Sequence, residues 1–238
     1  MNHRFESQPA YILHTWAYRE TSLLLEVFTK EHGRLGVLAK GVRKPKSRAK
    51  GLLQPFVPLL IGANGRGDLL VLKDYESFGV LPYLTGRRLV SAFYLNELMM
   101  RLLARFDPNP ALFDGYTMTI QALADEKPIE PVLRLFEKTL LKTLGYELQL
   151  SKEVETGDPV LPQKLYLYDP GRGPILLDVL QQEARLYPKQ RLYPGSSLLA
   201  LAAEELTEEA VLADVKRLMR EALALYLGNR PIESRKLL

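Results

Sequence analysis

A run of basic residues in the first third of the chain has the composition needed to bind phosphate groups. The segment 40–51, KGVRKPKSRAKG, contains no acidic residue. Its cations are Lys40, Arg43, Lys44, Lys46, Arg48 and Lys50. Lysine and arginine neutralise the phosphates of nucleic acids, so a loop of this kind indicates a polyanion-binding surface. A solvated surface loop is the alternative that the segment alone leaves open.

Three carboxylates further along the chain could bind Mg²⁺. Asp68, Asp74 and Glu76 lie at even spacing, so they would share one face of a regular strand. Such a set could hold the metal of a nuclease. However, Asp68 is expected in a turn, Lys73 adjoins Asp74, and no second catalytic group accompanies the set. The solvated outer face of a strand explains them as well, so the metal-dependent nuclease is kept as an alternative.

Other common catalytic signatures are absent from the sequence. The chain has no cysteine, and His3, His14 and His32 have no familiar ligand spacing. It contains neither the P-loop pattern nor the serine nucleophile elbow. We therefore expect no cofactor and no metal site built from cysteine or histidine. The N-terminus lacks the apolar core of a signal peptide, and the apolar runs are too short to span a membrane, so a cytoplasmic protein is expected.

The distribution of charge supports a polyanion partner for the first third of the chain. The 238 residues carry a net charge of +4 and are 47% hydrophobic, an ordinary globular composition. Residues 1–80 hold 12 Lys and Arg against 7 Asp and Glu, whereas the remaining residues hold 20 against 21. The basic charge therefore belongs to one part of the molecule.

The elements that would position the basic loop are short strands. About five apolar runs between residues 9 and 80 are separated by turns that include HGR and NGRG. Pro55 and Pro58 predict that the fourth strand lies at an edge or is bulged. A small antiparallel barrel removes exposed edges most economically. Trp16 and Tyr18 lie in this segment and could stack on the bases of a single strand, although the barrel core is the alternative for Trp16.

From about residue 82 the hydrophobic period becomes helical. Apolar stripes predict helices within 89–106, 111–126 and 132–144, with Gly145 ending the third. Residues 146–195 contain several Pro and Gly and predict a hairpin insert in which QKLYLYD pairs with ILLDV. Ser196 or Ser197 is expected to cap the next helix, and Thr207 the last. The predicted domains are 1–80, the barrel, and 81–238, the helical domain with its insert.

The sequence also resembles a known protein family. The run YILHTWAYRETSLLLEVFTKEHGRLGVLAKGVRKPKS followed by LLQPF, and later YLNEL, PVLRLFEKTLLKTLGYEL and YLGNRPIESRKLL, are similar to the bacterial recombination mediator family RecO. The resemblance covers nearly the whole chain and is weakest over 150–195. It implies an α+β fold in which an N-terminal OB barrel precedes a mainly helical domain. Many RecO proteins hold zinc with four cysteines in the insert, whereas this insert has neither cysteine nor histidine.

The resemblance implies a function without bond breaking. RecO proteins bind single- and double-stranded DNA, anneal complementary strands and help to load RecA onto DNA coated by single-strand-binding protein. The partners implied are DNA, RecR, single-strand-binding protein, RecF and RecA, with a nucleoid-associated location in the cytoplasm. By this resemblance the six cations of the 40–51 loop contact phosphates, and Arg19, Arg34 and Arg66 are weaker candidates on neighbouring turns. An RNA-binding barrel is a further alternative.

The resemblance also implies capture of the acidic, apolar C-terminal tail of single-strand-binding protein. Such a tail requires an apolar pocket and a cation. In the predicted helix 132–144, Leu133, Phe136 and Leu140 could wall the pocket, while Arg134, Lys138 and Lys142 recur on an adjoining face. The alternative is that the apolar residues are core and the cations form a solvated face.

Overall fold

The computed structural model describes residues 2–44, 47–177, 191–228 and 230–234. Contacts divide the chain into two compact units. The first contains the described residues up to Lys127 together with those from Pro231 onward, and the second runs from Pro128 to Arg230. The predicted boundary at 80/81 separates the strands from the first helix, whereas the contacts group the first two helices with the strands.

The first unit contains a closed barrel built from five of the described strands. They are β1 (Asn2–Tyr18), β2 (Ser22–Thr29), β3 (Gly33–Ala39), β4 (Leu59–Arg66) and β5 (Leu69–Ser77). The order around the barrel is β1-β2-β3-β5-β4, with β3 and β5 parallel and the other pairs antiparallel. Alternate apolar side chains such as Leu25, Val37 and Leu59 fill the interior. The predicted OB-type barrel is confirmed.

The prolines of the fourth apolar run lie outside the strand that they were expected to disturb. Strand β4 begins at Leu59, after both Pro55 and Pro58. Because proline has no N–H to donate to a ladder, the chain forms a turn before it enters the barrel. The prediction of an edge or bulged strand at these prolines is therefore wrong.

Two helices complete the first unit. They are α1 (Gly86–Leu102) and α2 (Pro110–Ala124), and the Asn109 side chain caps α2 by accepting the N–H of Leu112 at 2.8 Å. The segment between them lies on the β2–β3 turn, where the N–H of Phe106 donates to the Arg34 carbonyl at 3.0 Å. A Cβ on Gly33 would overlap the backbone of Asp107. This close approach joins the segment between α1 and α2 to the barrel.

The second unit combines helices with a small sheet. It contains α3 (Ile129–Thr143), β6 (Leu165–Asp169), β7 (Gly173–Leu176), β8 (Leu192–Pro194), α4 (Gly195–Ala203) and α5 (Glu209–Leu227). The sheet order is β7-β6-β8, and the antiparallel pair β6–β7 is the predicted hairpin, which is confirmed. Tyr166, Tyr168 and Tyr193 are buried in it. No helix in the described part of the chain has the length and apolar character needed to cross a membrane.

A buried carboxylate also holds the insert together, which the sequence analysis did not anticipate. The Glu153 side chain accepts backbone N–H groups from Glu155 at 2.9 Å, from Thr156 and from Leu176 at 3.2 Å. Burial alone would raise the pKa of Glu153, but these hydrogen bonds outweigh it and lower the pKa below the ordinary value. The ionised side chain thus ties the 153–156 turn to β7.

The expected helix caps are confirmed at one end and wrong at two others. Gly145, with φ of +82°, follows the end of α3 as predicted. In contrast, Ser197 lies inside the first turn of α4 and donates to Asp214 at 2.9 Å, so neither predicted serine caps that helix. Residue Glu208 precedes α5 without a side-chain cap, and Thr207 is one position too early.

Candidate nucleic-acid interface

An open groove lies where β1 ends, β2 begins and β3 ends, and we call it the β1–β2 groove. Its volume is about 710 Å³. The lining residues are Tyr18, Arg19, Glu20, Thr21, Ser22, Leu38, Lys40, Gly41 and Lys44. Aromatic and aliphatic surface thus meets three cations, a combination suited to a strand that offers both bases and phosphates.

Backbone hydrogen bonds hold the start of the basic loop against the β1–β2 turn. The N–H of Arg43 donates to the Thr21 carbonyl at 2.8 Å, and its guanidinium donates to the Arg19 carbonyl at 3.1 Å. The loop turns at Gly41, whose φ is +74°. These contacts bring together segments that are about twenty residues apart in the sequence, so Arg19 and the basic loop share one surface.

The cations of the groove are available to a ligand. Within the described ranges, Arg19, Lys40 and Lys44 form no ion pair with a carboxylate. The Arg19 guanidinium lies over the Tyr18 ring, 5.3 Å from its centroid. A cation–π contact positions a guanidinium without neutralising its charge, so Arg19 can still bind a phosphate.

The two aromatic residues singled out from the sequence are exposed on one face of β1. Trp16 is 40% exposed and Tyr18 is 38% exposed, and their spacing of two places them on the same side of the strand. The core alternative for Trp16 is therefore excluded. Trp16 pairs in register with Leu24, which pairs with Leu38 of the groove. An apolar outer face thus extends from the groove across three strands.

Three cations of the basic loop are only partly described. Lys46 lies outside the described residues. Arg48 and Lys50 belong to a short 3₁₀ helix, Arg48–Gly51, which the Ser47 side chain caps, but their side chains are not among the described ones. Their predicted contacts with phosphate stay predictions.

Arg34 does not face the groove, which corrects the expectation that it contacts DNA. Its guanidinium donates to Glu26 at 2.6 Å and to the Leu103 carbonyl at 3.0 Å, and the side chain is only 16% exposed. Glu26 is buried, and Arg105 donates to its other oxygen at 2.7 Å. The buried carboxylate requires both cations, so Arg34 is held in the body of the unit.

Arg66 is exposed but does not line the groove. It ends β4, beside Asn2 at the start of β1, whereas the groove lies at the end of β1. The structure therefore separates Arg66 from the other candidate cations.

A bulge in β5 decides the arrangement of the three carboxylates. The pairing of β5 with β4 shifts by one residue at Lys73. Before the bulge, even-numbered residues such as Leu72 pack toward the barrel core, and after it odd-numbered residues such as Tyr75 do so. Residues on the two sides of the bulge therefore do not keep the alternation of a regular strand.

The proposed magnesium set consequently does not form. Asp74 and Glu76 point outward after the bulge, while Asp68 lies in the turn before β5. Among the described residues, no group of three or more His, Cys, Asp or Glu side chains is arranged to hold a metal ion. The alternative of a shared face required a regular strand and is therefore excluded, and Asp68 lies in a turn as expected from the sequence.

The helix assigned to the tail of single-strand-binding protein presents a different face from the one expected. Leu133, Phe136 and Leu140 are at most 2% exposed. Arg134 is also buried and pairs with Glu137 at 2.9 Å. These side chains are core, so they do not wall an open pocket, and the core alternative is the correct one.

The neighbouring lysines of this helix are engaged as well. Lys138 donates to the carbonyl of Leu201 at 3.0 Å and to the Glu204 side chain at 2.9 Å. The first bond satisfies a backbone carbonyl in the last turn of α4. Lys142 is exposed and pairs with Glu147 at 2.7 Å. The expected pair of apolar pocket and adjoining cationic face is not present on α3.

Family models of known proteins match both the barrel and the helical part of the chain. The family model described as Recombination protein O N terminal matches residues 1–79, and the one described as Recombination protein O C terminal matches residues 84–236. These matches place the chain among proteins of DNA recombination and repair.

Full-length relatives agree with this class. A protein of Nitrosococcus oceani is 45% identical over 234 residues, covering 97% of this chain and 92% of that protein, and one of Coxiella burnetii is 43% identical over 238 residues, covering 100% of both. A protein of Azoarcus sp. is 40% identical over 99% of this chain and 96% of its own length. All three are named DNA repair protein RecO. The chain belongs to the RecO family.

Proposed function

We propose that this chain is a DNA-binding recombination mediator that acts without breaking bonds. The observation that carries the proposal is the β1–β2 groove, in which Arg19, Lys40 and Lys44 line the same space as the exposed Tyr18 ring and have no acidic partners in the described structure. Phosphates compensate the free cations, and bases stack on the rings. The cations of the groove would contact phosphates, which are the same in every sequence, so we expect binding that is indifferent to base sequence.

Annealing of complementary strands follows from the same surface. Two strands repel each other through their phosphates, and a basic surface that binds one strand lowers the repulsion that the second experiences. Binding of both single- and double-stranded DNA is part of the proposal because phosphate contacts are common to the two forms.

The mediator role rests on membership of the family. We propose that the protein helps to load RecA onto DNA coated by single-strand-binding protein, together with RecR and, in some settings, RecF. The tail of single-strand-binding protein is proposed as a partner of the helical part, at a surface other than the buried residues of α3. Because such a role is carried out on chromosomal DNA, we propose a nucleoid-associated location in the cytoplasm.

RNA binding is the alternative that the groove chemistry supports, because cations and aromatic rings bind either nucleic acid. Competition between single-stranded DNA and RNA of the same sequence at one salt concentration separates the two. RNA that displaces DNA at an equal or lower concentration would favour an RNA-binding module.

Salt dependence tests the proposal. The double variant Lys40→Ala/Lys44→Ala removes two groove cations, while Arg4→Ala/Arg66→Ala removes the same charge at the other end of β1. For single strands each lost phosphate contact lowers the log–log salt slope by ~0.7, so the first variant should lose ~1.4. The control should keep the wild-type slope. Equal slopes for all three proteins would show that DNA does not occupy the groove.

A further inference from the structure

The β1–β2 groove contains one carboxylate that its cations do not neutralise. Glu20 is the acidic residue among those that the structure shows lining the groove, and it is exposed. No hydrogen bond or ion pair joins it to a described residue, although Arg19, Lys40 and Lys44 line the same space. Arg19, with φ of +51°, turns the chain between β1 and β2, and Glu20 follows it in this turn.

An unpaired carboxylate in a phosphate-binding groove repels any phosphate that approaches it. Its effect depends on whether the DNA can move that phosphate elsewhere. A single strand is flexible and carries fewer charges per unit length than a duplex, so it can follow Lys40 and Lys44 while a base faces Glu20. Thr21 and Ser22 follow Glu20 in the lining of the groove, and a hydroxyl of this kind can bond to a base edge.

A duplex cannot make the same adjustment. It carries one charge per about 1.7 Å of axis, its phosphates are fixed by the double helix, and its bases are stacked inside. A duplex that reaches the groove cations therefore brings phosphates toward Glu20 and has no free base to place there.

We propose that Glu20 makes the β1–β2 groove discriminate against double-stranded DNA. The inference rests on the proposed function, because it assumes that the groove binds DNA. Its consequence is directional: the groove holds single strands, and it releases the duplex that annealing produces. A carboxylate that weakens binding thus promotes turnover by lowering affinity for the product more than for the substrate.

The variant Glu20→Gln tests this inference because it removes the charge and keeps the shape. The matched control is Glu31→Gln, an exposed residue of the β2–β3 turn at the other end of β2. Affinities of wild type and both variants are measured by fluorescence anisotropy for a labelled single strand and for the blunt duplex made from it, at one low salt concentration. Circular dichroism checks that the variants are folded.

The expected result is a change in the ratio of affinities. Glu20→Gln should bind the duplex about five-fold more tightly, the factor of one unit-charge contact at about 4 Å in a water-like dielectric. Its affinity for the single strand should rise less than about two-fold, since a flexible strand avoids most of the repulsion. Glu31→Gln should leave both affinities unchanged.

Each other outcome overturns the inference in a recognisable way. An equal gain for duplex and single strand would mean that Glu20 acts only on net charge. No gain for either would mean that Glu20 points away from bound DNA, and an equal effect of Glu31→Gln would mean that its position is irrelevant. A wild-type protein that binds neither DNA form would refute the proposed function itself.

Discussion

The charged cluster around Glu26 joins the barrel to the α1–α2 segment, and removal of Arg34 tests its contribution to stability. The Glu26 side chain is 3% exposed and receives charged hydrogen bonds from Arg34 at 2.6 Å and Arg105 at 2.7 Å. Arg34 is 16% exposed and also donates to the Leu103 carbonyl, whereas Arg105 is 42% exposed. Water can therefore replace Arg105 more readily than Arg34.

Substitution of each arginine by alanine should therefore lower the free energy of unfolding by a different amount. Arg34→Ala removes a charge-assisted hydrogen bond, a bond to a carbonyl and a partner of a buried charge, which together lower the free energy of unfolding by ~3 kcal/mol. Arg105→Ala should cost ~1 kcal/mol, because the pair is partly screened by solvent. Arg4→Ala breaks a pair with Glu6 at 2.9 Å in which both side chains are more than two-thirds exposed, and it should cost below ~0.5 kcal/mol.

Urea unfolding followed by the fluorescence of Trp16, the single tryptophan of the chain, measures these costs in the barrel. The midpoint should shift in the order Arg34→Ala, Arg105→Ala, Arg4→Ala, with an unchanged slope m. High salt should reduce the effect of Arg4→Ala and leave most of that of Arg34→Ala, because buried pairs are weakly screened. Equal shifts for Arg34→Ala and Arg4→Ala would refute the argument that burial determines the strength of this cluster.

Two further predictions concern backbone fit and pH. Gly33→Ala should lower the free energy of unfolding by at least ~3 kcal/mol, because its Cβ would overlap the Asp107 backbone. Gly67→Ala, also at positive φ but facing open space, should lower it by ~1 kcal/mol, and equal urea midpoints for the two variants would contradict this. Burial alone would raise the pKa of Glu97, but hydrogen bonds from Ser234 and its neighbour outweigh it and lower the pKa below 4.5. The ionised Glu97 side chain therefore holds residues 231–234 at full strength above pH 4.5, and this contact is lost as the pH falls through the lowered pKa. Hydrogen exchange at the Ser234 amide measures the contact. Protection of this amide that does not change with pH would contradict the assignment.

The barrel strands could be predicted because their signals are local. Alternating apolar residues and glycine turns fixed β2, β3 and β5 to within a few residues, and Gly145 marked the end of α3. Local patterns did not reveal the bulge at Lys73, since an extra residue in a ladder depends on the partner strand. A shared face for the three carboxylates therefore could not be excluded from the sequence.

The candidate site could be predicted only in part, because tertiary contacts select among residues of the same type. The basic loop and the exposed Tyr18 were found from sequence, but Glu20 was not, since only the fold of the loop places it in the groove. Arg34 was assigned wrongly because nothing in the sequence shows that Glu26 is buried beside it. An amphipathic stripe such as that of α3 does not distinguish a core face from a pocket.

The central claim is that DNA lies in the β1–β2 groove and on the adjoining outer face of β1. Trp16 is on that face, and because the chain has no other tryptophan its fluorescence reports this surface alone. The most direct test is a titration with an unlabelled single strand, run beside anisotropy with a labelled one. The account predicts quenching of Trp16 with the same midpoint as the anisotropy, and a shift of both midpoints to higher DNA concentration in Lys40→Ala/Lys44→Ala. Saturable binding by anisotropy with no change in Trp16 fluorescence would contradict it.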